Sequence, residues 1–316
     1  MGWGYIAVDG SQQSVDIFMK ITSNQVSWQH LDRPDFKDLG FLKNELKAST
    51  TVVAELMGAN KRPKIEEYDQ YLFLVLHFPV FNVETRQTTP TELDLIVTKD
   101  SVFTICQHCN PALDKLFADL KDDEERQNEA FKNSGWLLFY ILDSMIDSCL
   151  PMLDHIHEKI EEIEKQVFDG KERAMLKEIA IVKRDIIDFR RTIKPQRSVL
   201  EILAKKASRF FKQNLDIICQ EVIGSEVRVW NTLENHKEMI EAIESTNGNL
   251  LSFQINQVMH TLTFFSIALF SLTFIASFFS MRVLETGSNI DLFKIVGLML
   301  ATILLIVVIF KKKRWL

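Results

Sequence analysis

The sequence predicts a membrane protein in three parts. An α+β domain spans residues 1–125, long stalk helices span 126–257, and two transmembrane helices lie at the C-terminal end. Three observations carry this reading. Residues 258–281 contain no Asp, Glu, Lys or Arg, a run longer than the roughly 20 apolar residues that cross a bilayer as a helix. A second apolar run, 292–310, follows a short polar link at 282–291, and Lys-Lys-Lys-Arg at 311–314 closes it. Between the α+β part and the first span, proline occurs only at Pro151 and Pro195, and apolar residues recur every three or four positions. That is helical spacing.

Gln25-Val-Ser-Trp-Gln-His30 alternates as a strand does. Residues 36–57 carry leucines at 39, 42, 46 and 56, which predicts a helix. Residues 71–78, Tyr-Leu-Phe-Leu-Val-Leu-His-Phe, are a dense apolar run bounded by Pro79, read as a buried strand. Leu93-Asp-Leu-Ile-Val97 and Val102-Phe-Thr-Ile-Cys106 are two further strands joined by the turn Thr98-Lys-Asp-Ser101. Asn110-Pro111 opens a helix, because proline suits the first helical turn. Ile156, Ile160, Ile163 and Val167 form a seam of coiled-coil type. Asp169-Gly170 predicts a turn, and helical spacing resumes over 174–189 and again over 199–211 after Pro195. The last stalk helix runs from about residue 216 into the first span with only Gly224 and Gly248 as weak points.

The chain has 316 residues, 47% hydrophobic and 25% charged, enough for more than one domain. The opening Met-Gly-Trp-Gly-Tyr has neither a basic nor an apolar leader segment, so no cleaved signal peptide is expected. The basic run at 311–314 places the C-terminus in the cytoplasm, and two spans return the large N-terminal part to the same side. The expected location is the inner (plasma) membrane. Four cysteines, Cys106, Cys109, Cys149 and Cys219, suit a reducing compartment. The net charge of −6 comes without a basic patch interleaved with aromatics, so nucleic acid is not an expected partner. No nucleophile–base order, phosphate loop or paired-carboxylate motif stands out, so no enzyme activity and no firm cofactor are expected.

Several stretches resemble the CorA family of divalent-cation (magnesium, cobalt, zinc) channels. They are the tail Ser271-Leu-Thr-Phe-Ile-Ala-Ser-Phe-Phe-Ser-Met-Arg282 with its following apolar helix, residues 62–79 from Arg-Pro-Lys-Ile, Glu92-Leu-Asp-Leu with Val102-Phe-Thr-Ile, Phe189-Arg-Arg-Thr-Ile-Lys-Pro-Gln-Arg197, and residues 249–259. The resemblance covers most of the chain. It implies an α/β/α sandwich in the cytoplasmic domain and a homopentameric channel whose first membrane helix lines one axial pore. The partners it implies are other copies of the chain, the lipid bilayer and the transported ion, with Mg²⁺ or another divalent cation as cargo or regulator.

Carried over by position, the family's pore face falls on Asn256, Met259, Leu262, Ser266, Phe270, Thr273 and Ser277. Spacings of three and four put all seven on one stripe. Asn256, Ser266, Thr273 and Ser277 offer oxygens, while Met259, Leu262 and Phe270 suit constrictions that gate by dewetting. Serine and threonine also serve simply to pack membrane helices together. At the outer mouth the family carries Gly-Met-Asn, and here the place reads Ser280, Met281, Arg282. Arginine has five donors and no acceptor, and basic rings favour anions. Either Arg282 alters selectivity or it anchors the helix in lipid headgroups.

Glu234, Glu238 and Glu241 share a face of the stalk helix. By the resemblance they are candidates for regulatory Mg²⁺ between subunits, since hard cations prefer oxygen clusters. The alternative is a solvated face paired with Lys237. Cys106-Gln-His-Cys109 has metal-ligand spacing but lacks a second pair. His155 and His157 are two apart and face different ways, and His260 lies beside the pore stripe. The reading is a CorA-like channel for divalent metal cations with cytoplasmic regulation and a selectivity altered from Mg²⁺. The alternative is a pore of the same build with anion permeability or no cation transport, acting as a membrane scaffold or regulator.

Overall fold

The computed structural model describes residues 18–58, 62–82, 87–108, 110–286 and 289–312. Within them six strands form one sheet: β1 (Phe18–Ser23), β2 (Val26–Asp32), β3 (Lys64–Glu67), β4 (Leu72–Asn82), β5 (Gln87–Val97) and β6 (Ser101–Cys106), in the order β1-β2-β6-β5-β4-β3. Only β2 and β6 run parallel; the other neighbours are antiparallel. The helices are α1 (Gly40–Glu45), α2 (Thr50–Leu56), α3 (Pro111–Asp122), α4 (Glu124–Ala130), α5 (Ser134–Asp147), α6 (Leu150–Phe168), α7 (Glu172–Ile193), α8 (Gln196–Phe211), α9 (Asp216–Thr286) and α10 (Asn289–Lys312). The described residues divide into two compact units. One runs to Lys165 and resumes over Lys177–Ala242; the other comprises Gln166–Leu176 and the chain from Ile243 onward.

In the first unit the sheet is covered on both faces, as an α/β/α sandwich requires. Leu31, Phe73, Val75, Ile96, Phe103 and Ile105 point to one face and bury Leu39 and Leu42 beside α1 and Val52, Val53 and Leu56 of α2. Trp28 points to the other face, its ring 4.9 Å from Phe117 of α3. Every residue of β2 is buried, which is the mark of a strand with a layer on each side. Under α3 the polar groups are satisfied in a chain. Trp28 Nε1 donates to Thr104 Oγ1 (2.9 Å), which lies 2.9 Å from His30 Nδ1, while His30 Nε2 lies 3.2 Å from Asp114.

Two expectations are corrected. The helix expected over 36–57 is two, α1 and α2, because Lys47 takes a left-handed backbone (φ 48°) and Ser49 caps α2 by accepting from the Val52 N–H at 3.2 Å. The strand expected to stop at Pro79 continues to Asn82. His77 directs its N–H and C=O away from β5, to the side chain of Gln196. Pro79, two residues on, shares that orientation and faces Pro90 across the ladder. Neither proline therefore removes a β4–β5 bond, because that pair is not a hydrogen-bonded one. Helix α9 continues beyond the expected membrane span, 258–281, to Thr286. The first glycine after Gly248 is Gly287, so the sequence offers no earlier stop.

The stalk helices bury seams of strict three-four spacing: Leu153, Ile156, Ile160, Ile163 and Val167 on α6, and Ile179, Val182, Ile186, Phe189 and Ile193 on α7. Helix α9 buries Val222, Glu226, Val229, Leu233, His236, Ile240, Ile243 and Asn247 in the same rhythm. Among the described residues three stretches are, by length and apolar content, able to cross a membrane: Ser134–Phe168, Asp216–Ser280 and Phe293–Lys312. Half of the apolar window of the first is buried within the protein, against 0% and 6% for the others. The first is core, and α9 and α10 carry the two spans.

Candidate functional site

Helices α9 and α10 meet along matched stripes. On α9 the half-buried residues His260, Phe264, Ala268, Ser271, Ile275 and Phe279 recur every three or four positions. On α10 Ile295, Met299, Thr302, Ile306 and Phe310 do the same. The Phe264 and Phe310 rings sit edge to face, centroids 5.2 Å apart. At 100° per residue, the stripe of Asn256, Met259, Leu262, Ser266, Phe270, Thr273 and Ser277 lies about 150° around α9 from this seam. It is the face that α10 leaves open. Asn256, Met259, Leu262, Phe270, Thr273 and Ser277 are exposed, Phe270 most at 76%, and Ser266 is half-buried.

Two of the hydroxyls on this face are already committed as donors. Ser266 Oγ donates to the Leu262 carbonyl at 2.9 Å, and Thr273 Oγ1 donates to the Leu269 carbonyl at 2.8 Å. Each oxygen keeps lone pairs and no further proton, so toward the open face it is an acceptor. Acceptors suit the outward-pointing hydrogens of water around a cation. Ser280 is exposed on the same helix. The side chains of Met281, Arg282, Glu285 and Asp291 lie outside the described residues, as does Cys109. Cys106 is buried at the end of β6.

The stalk acids are spread along α9. Glu234 pairs with Arg190 of α7, whose guanidinium lies 5.1 Å over the Trp230 ring. Glu241 lies 3.9 Å from Lys237, one turn away, and Glu238 is exposed. Among the described residues no group of three or more His, Cys, Asp or Glu side chains converges as a metal site within the chain. The two histidines of α6 do part, as their spacing requires. His155 turns to Phe81 (centroids 6.3 Å), and His157 stacks on His236 of α9. His260 lies half-buried on the α10-facing stripe.

Sequence reasoning passed over three polar members of the α9 seam. Glu226 is 3% exposed, and its Oε2 has no hydrogen-bond partner. It borders a cavity of about 10 Å³, room for one water, with Leu76, Phe78 and Gln196. Burial pushes the Glu226 carboxyl above its ordinary range. Burial, and then His157, hold His236 below the usual imidazole value. Both side-chain polar atoms of Asn247 are buried without partners. Heptad counting from Leu233 and Ile240 finds His236 directly, because a residue at that register faces inward whatever its polarity.

Comparison with known proteins places these features in a family. The model of the CorA-like Mg²⁺ transporter proteins matches residues 23–312. The chain is 23% identical over 271 residues to the cobalt/magnesium transport protein CorA of Thermotoga maritima, covering 84% of this chain and 76% of that one. It is 21% identical over 272 residues to the zinc transport protein ZntB of Yersinia enterocolitica, covering 86% and 81%. Among solved structures, the CorA magnesium transporter from Methanocaldococcus jannaschii superposes with a TM-score of 0.81 at 18% identity, covering 94% of each chain. The full-length CmaX protein superposes with a TM-score of 0.70 at 16% identity, covering 89% of this chain and 88% of that one.

Proposed function

This chain belongs to the CorA-like Mg²⁺ transporter family, and from that premise we propose that it carries divalent metal cations across the plasma membrane through an axial pore. Five copies surround the pore, each lining it with the α9 stripe from Asn256 to Ser277, and both termini are cytoplasmic. The observation that carries the reading is the stripe itself. It lies on the face α10 leaves open, and its Ser266 and Thr273 oxygens are acceptors, because their protons are held by the Leu262 and Leu269 carbonyls. Mg²⁺ gives up its water reluctantly. A row of neutral acceptors binds the hydration shell without stripping it, and weak sites in series let the ion move on. Met259 and Leu262, at the cytoplasmic end of the stripe, close such a pore by excluding water.

Selectivity differs from that of a Gly-Met-Asn channel. Ser280, Met281 and Arg282 replace the asparagine amide with a fixed positive charge, so the hydrated ion loses a partner at the mouth. Glu234, Glu238 and Glu241 are candidates for a regulatory cation between subunits. Arg282 also supports the second reading, a pore that passes anions or does not conduct. Flux into proteoliposomes, with cations and anions varied independently, separates the two. Uptake of Mg²⁺, Co²⁺ or Zn²⁺ that is independent of the anion supports the proposal. Anion-dependent current, or none in a correctly assembled oligomer, overturns it.

A further inference from the structure

Helices α6 and α9 bring a pair of imidazoles together. The rings of His157 and His236 lie nearly parallel, 17° between planes and 5.4 Å between centroids. His236 is 5% exposed at an inward register of the α9 seam. The Nδ1 atoms of both rings are buried and have no hydrogen-bond partner. His157 Nε2 lies 3.4 Å from Glu161 Oε1, one turn on along α6. In the tautomer with its proton on Nε2, His157 keeps Nδ1 as a lone pair. A buried nitrogen lone pair without a donor is unusual. Here there are two unpartnered Nδ1 atoms, on neighbouring rings from different helices.

We propose that His157 and His236 bind a borderline divalent cation of the Zn²⁺, Co²⁺ or Ni²⁺ type, which ties α6 to α9. Imidazole nitrogen is a preferred ligand of these ions, whereas Mg²⁺ takes oxygen and keeps its water. Two imidazole nitrogens on one tetrahedral ion sit about 3.3 Å apart, a spacing that rings with centroids 5.4 Å apart reach by turning their Nδ1 edges together. Glu161, 3.4 Å from His157 Nε2, stands where an outer carboxylate orients a ligating histidine. No third His, Cys, Asp or Glu converges with the pair among the described residues. Asp154, one turn before His157 on the same face of α6, already acts on His236 through space. The remaining positions fall to water.

The Glu226 cavity holds one water at most, and the carboxylates around Lys64 are partnered by it. The His157–His236 pair brings together, on two neighbouring rings, unpartnered ligand atoms of matching chemistry.

The test is titration of the full-length protein in detergent with Zn²⁺ in excess Mg²⁺, which fills oxygen-only sites, followed by Co²⁺ titration read by its visible absorption. The expected result is one high-affinity Zn²⁺ per chain and a Co²⁺ band of nitrogen ligation, both lost in H157Q and H236Q. Because H236Q alters a buried position, E161Q provides an independent arm. It changes an exposed carboxylate and should weaken Zn²⁺ binding roughly 10- to 100-fold while leaving the metal-free melting temperature unchanged. Absence of a high-affinity Zn²⁺ in the native protein overturns the proposal. So does binding that survives in H157Q and H236Q, or that is indifferent to E161Q. None of these readouts depends on transport, so the site stands or falls apart from the conduction mechanism.

Discussion

Replacing Gln196 with leucine should destabilise the cytoplasmic unit markedly, although leucine matches its volume. Gln196 is 4% exposed. Its carbonyl accepts from the His77 N–H at 3.2 Å, and its amide donates to the His77 carbonyl. It thereby takes the place of a neighbouring strand where β3 no longer covers the edge of β4, since β3 pairs only with Leu72 to Val75. Leucine leaves one backbone donor and one acceptor without partners in the interior, at about 1–3 kcal/mol each. Burial of the added apolar surface offsets part of this, so the net cost is about 2–5 kcal/mol. At about 2–4 °C per kcal/mol for a unit of this size, the melting temperature falls by about 5–15 °C. Tryptophan fluorescence of the detergent-solubilised full chain reads the transition. Gln196→Glu should be at least as harmful, because a carboxylate accepts from the N–H but meets the His77 carbonyl with a second set of lone pairs. A fall of less than about 2 °C for the leucine variant would mean that water satisfies His77 equally well, and the account of the strand edge would be wrong.

Three further outcomes are expected. Glu226 has a raised folded-state pKa, so the stability it contributes is fully present below its unfolded value and is lost as pH rises through the folded one. Glu226→Gln should therefore stabilise the chain by about 1 kcal/mol at neutral pH, with the gap closing near pH 4.5 in melts across a pH series; a constant gap would show that ionisation is not the cause. Leu262→Ser should hydrate the cytoplasmic end of the pore and raise basal conductance in planar bilayers, and an unchanged conductance in an assembled oligomer would place Leu262 against a neighbouring helix. Replacing Ser280, Met281 and Arg282 with Gly-Met-Asn should increase Mg²⁺ flux by about tenfold to a hundredfold; equal flux before and after would assign Arg282 to the headgroups.

The parts of the fold that were legible in the sequence are those where burial enforces a period. The dense run at 71–78, the strands ending at Val97 and Cys106, and the seams of α6 and α9 follow from which side chains face inward. What escaped notice depends on partners far along the chain. β1 and β3 are short edge strands whose residues are mostly exposed or half-buried, so they carry little apolar signal. Pro79 reads as a strand end until the Gln196 side chain, 119 residues away, is seen to take the outward groups of His77. His157 looked like one of an unpaired couple with His155, because its partner, His236, belongs to another helix. The pore stripe on α9 rests on the resemblance, while the seam at Phe264 shows only which face α10 covers.

Arg282 and the hydroxyl stripe act on different steps of the proposed conduction path, which is why the two features are compatible. A divalent ion about 10 Å from one guanidinium is repelled by about 0.8 kcal/mol in water and about 3.3 kcal/mol at an effective dielectric of 20. Five such charges at a wet mouth, screened over a Debye length of about 8 Å, come to about 1 to a few kcal/mol. That lowers the local ion concentration by about tenfold to a hundredfold without closing the path, and acidic Glu285 and Asp291 nearby in sequence reduce it. Inside, the ion meets no fixed charge. Between His260 and Arg282 the α9 sequence has no ionisable side chain, only hydroxyls and apolar groups. Passage there depends on acceptors that hold the hydration shell weakly, and Ser266 and Thr273 supply them because their protons are already bound to the helix backbone. The charge at the mouth therefore sets how often an ion arrives, and the neutral acceptors set whether one that arrives is held and passed on.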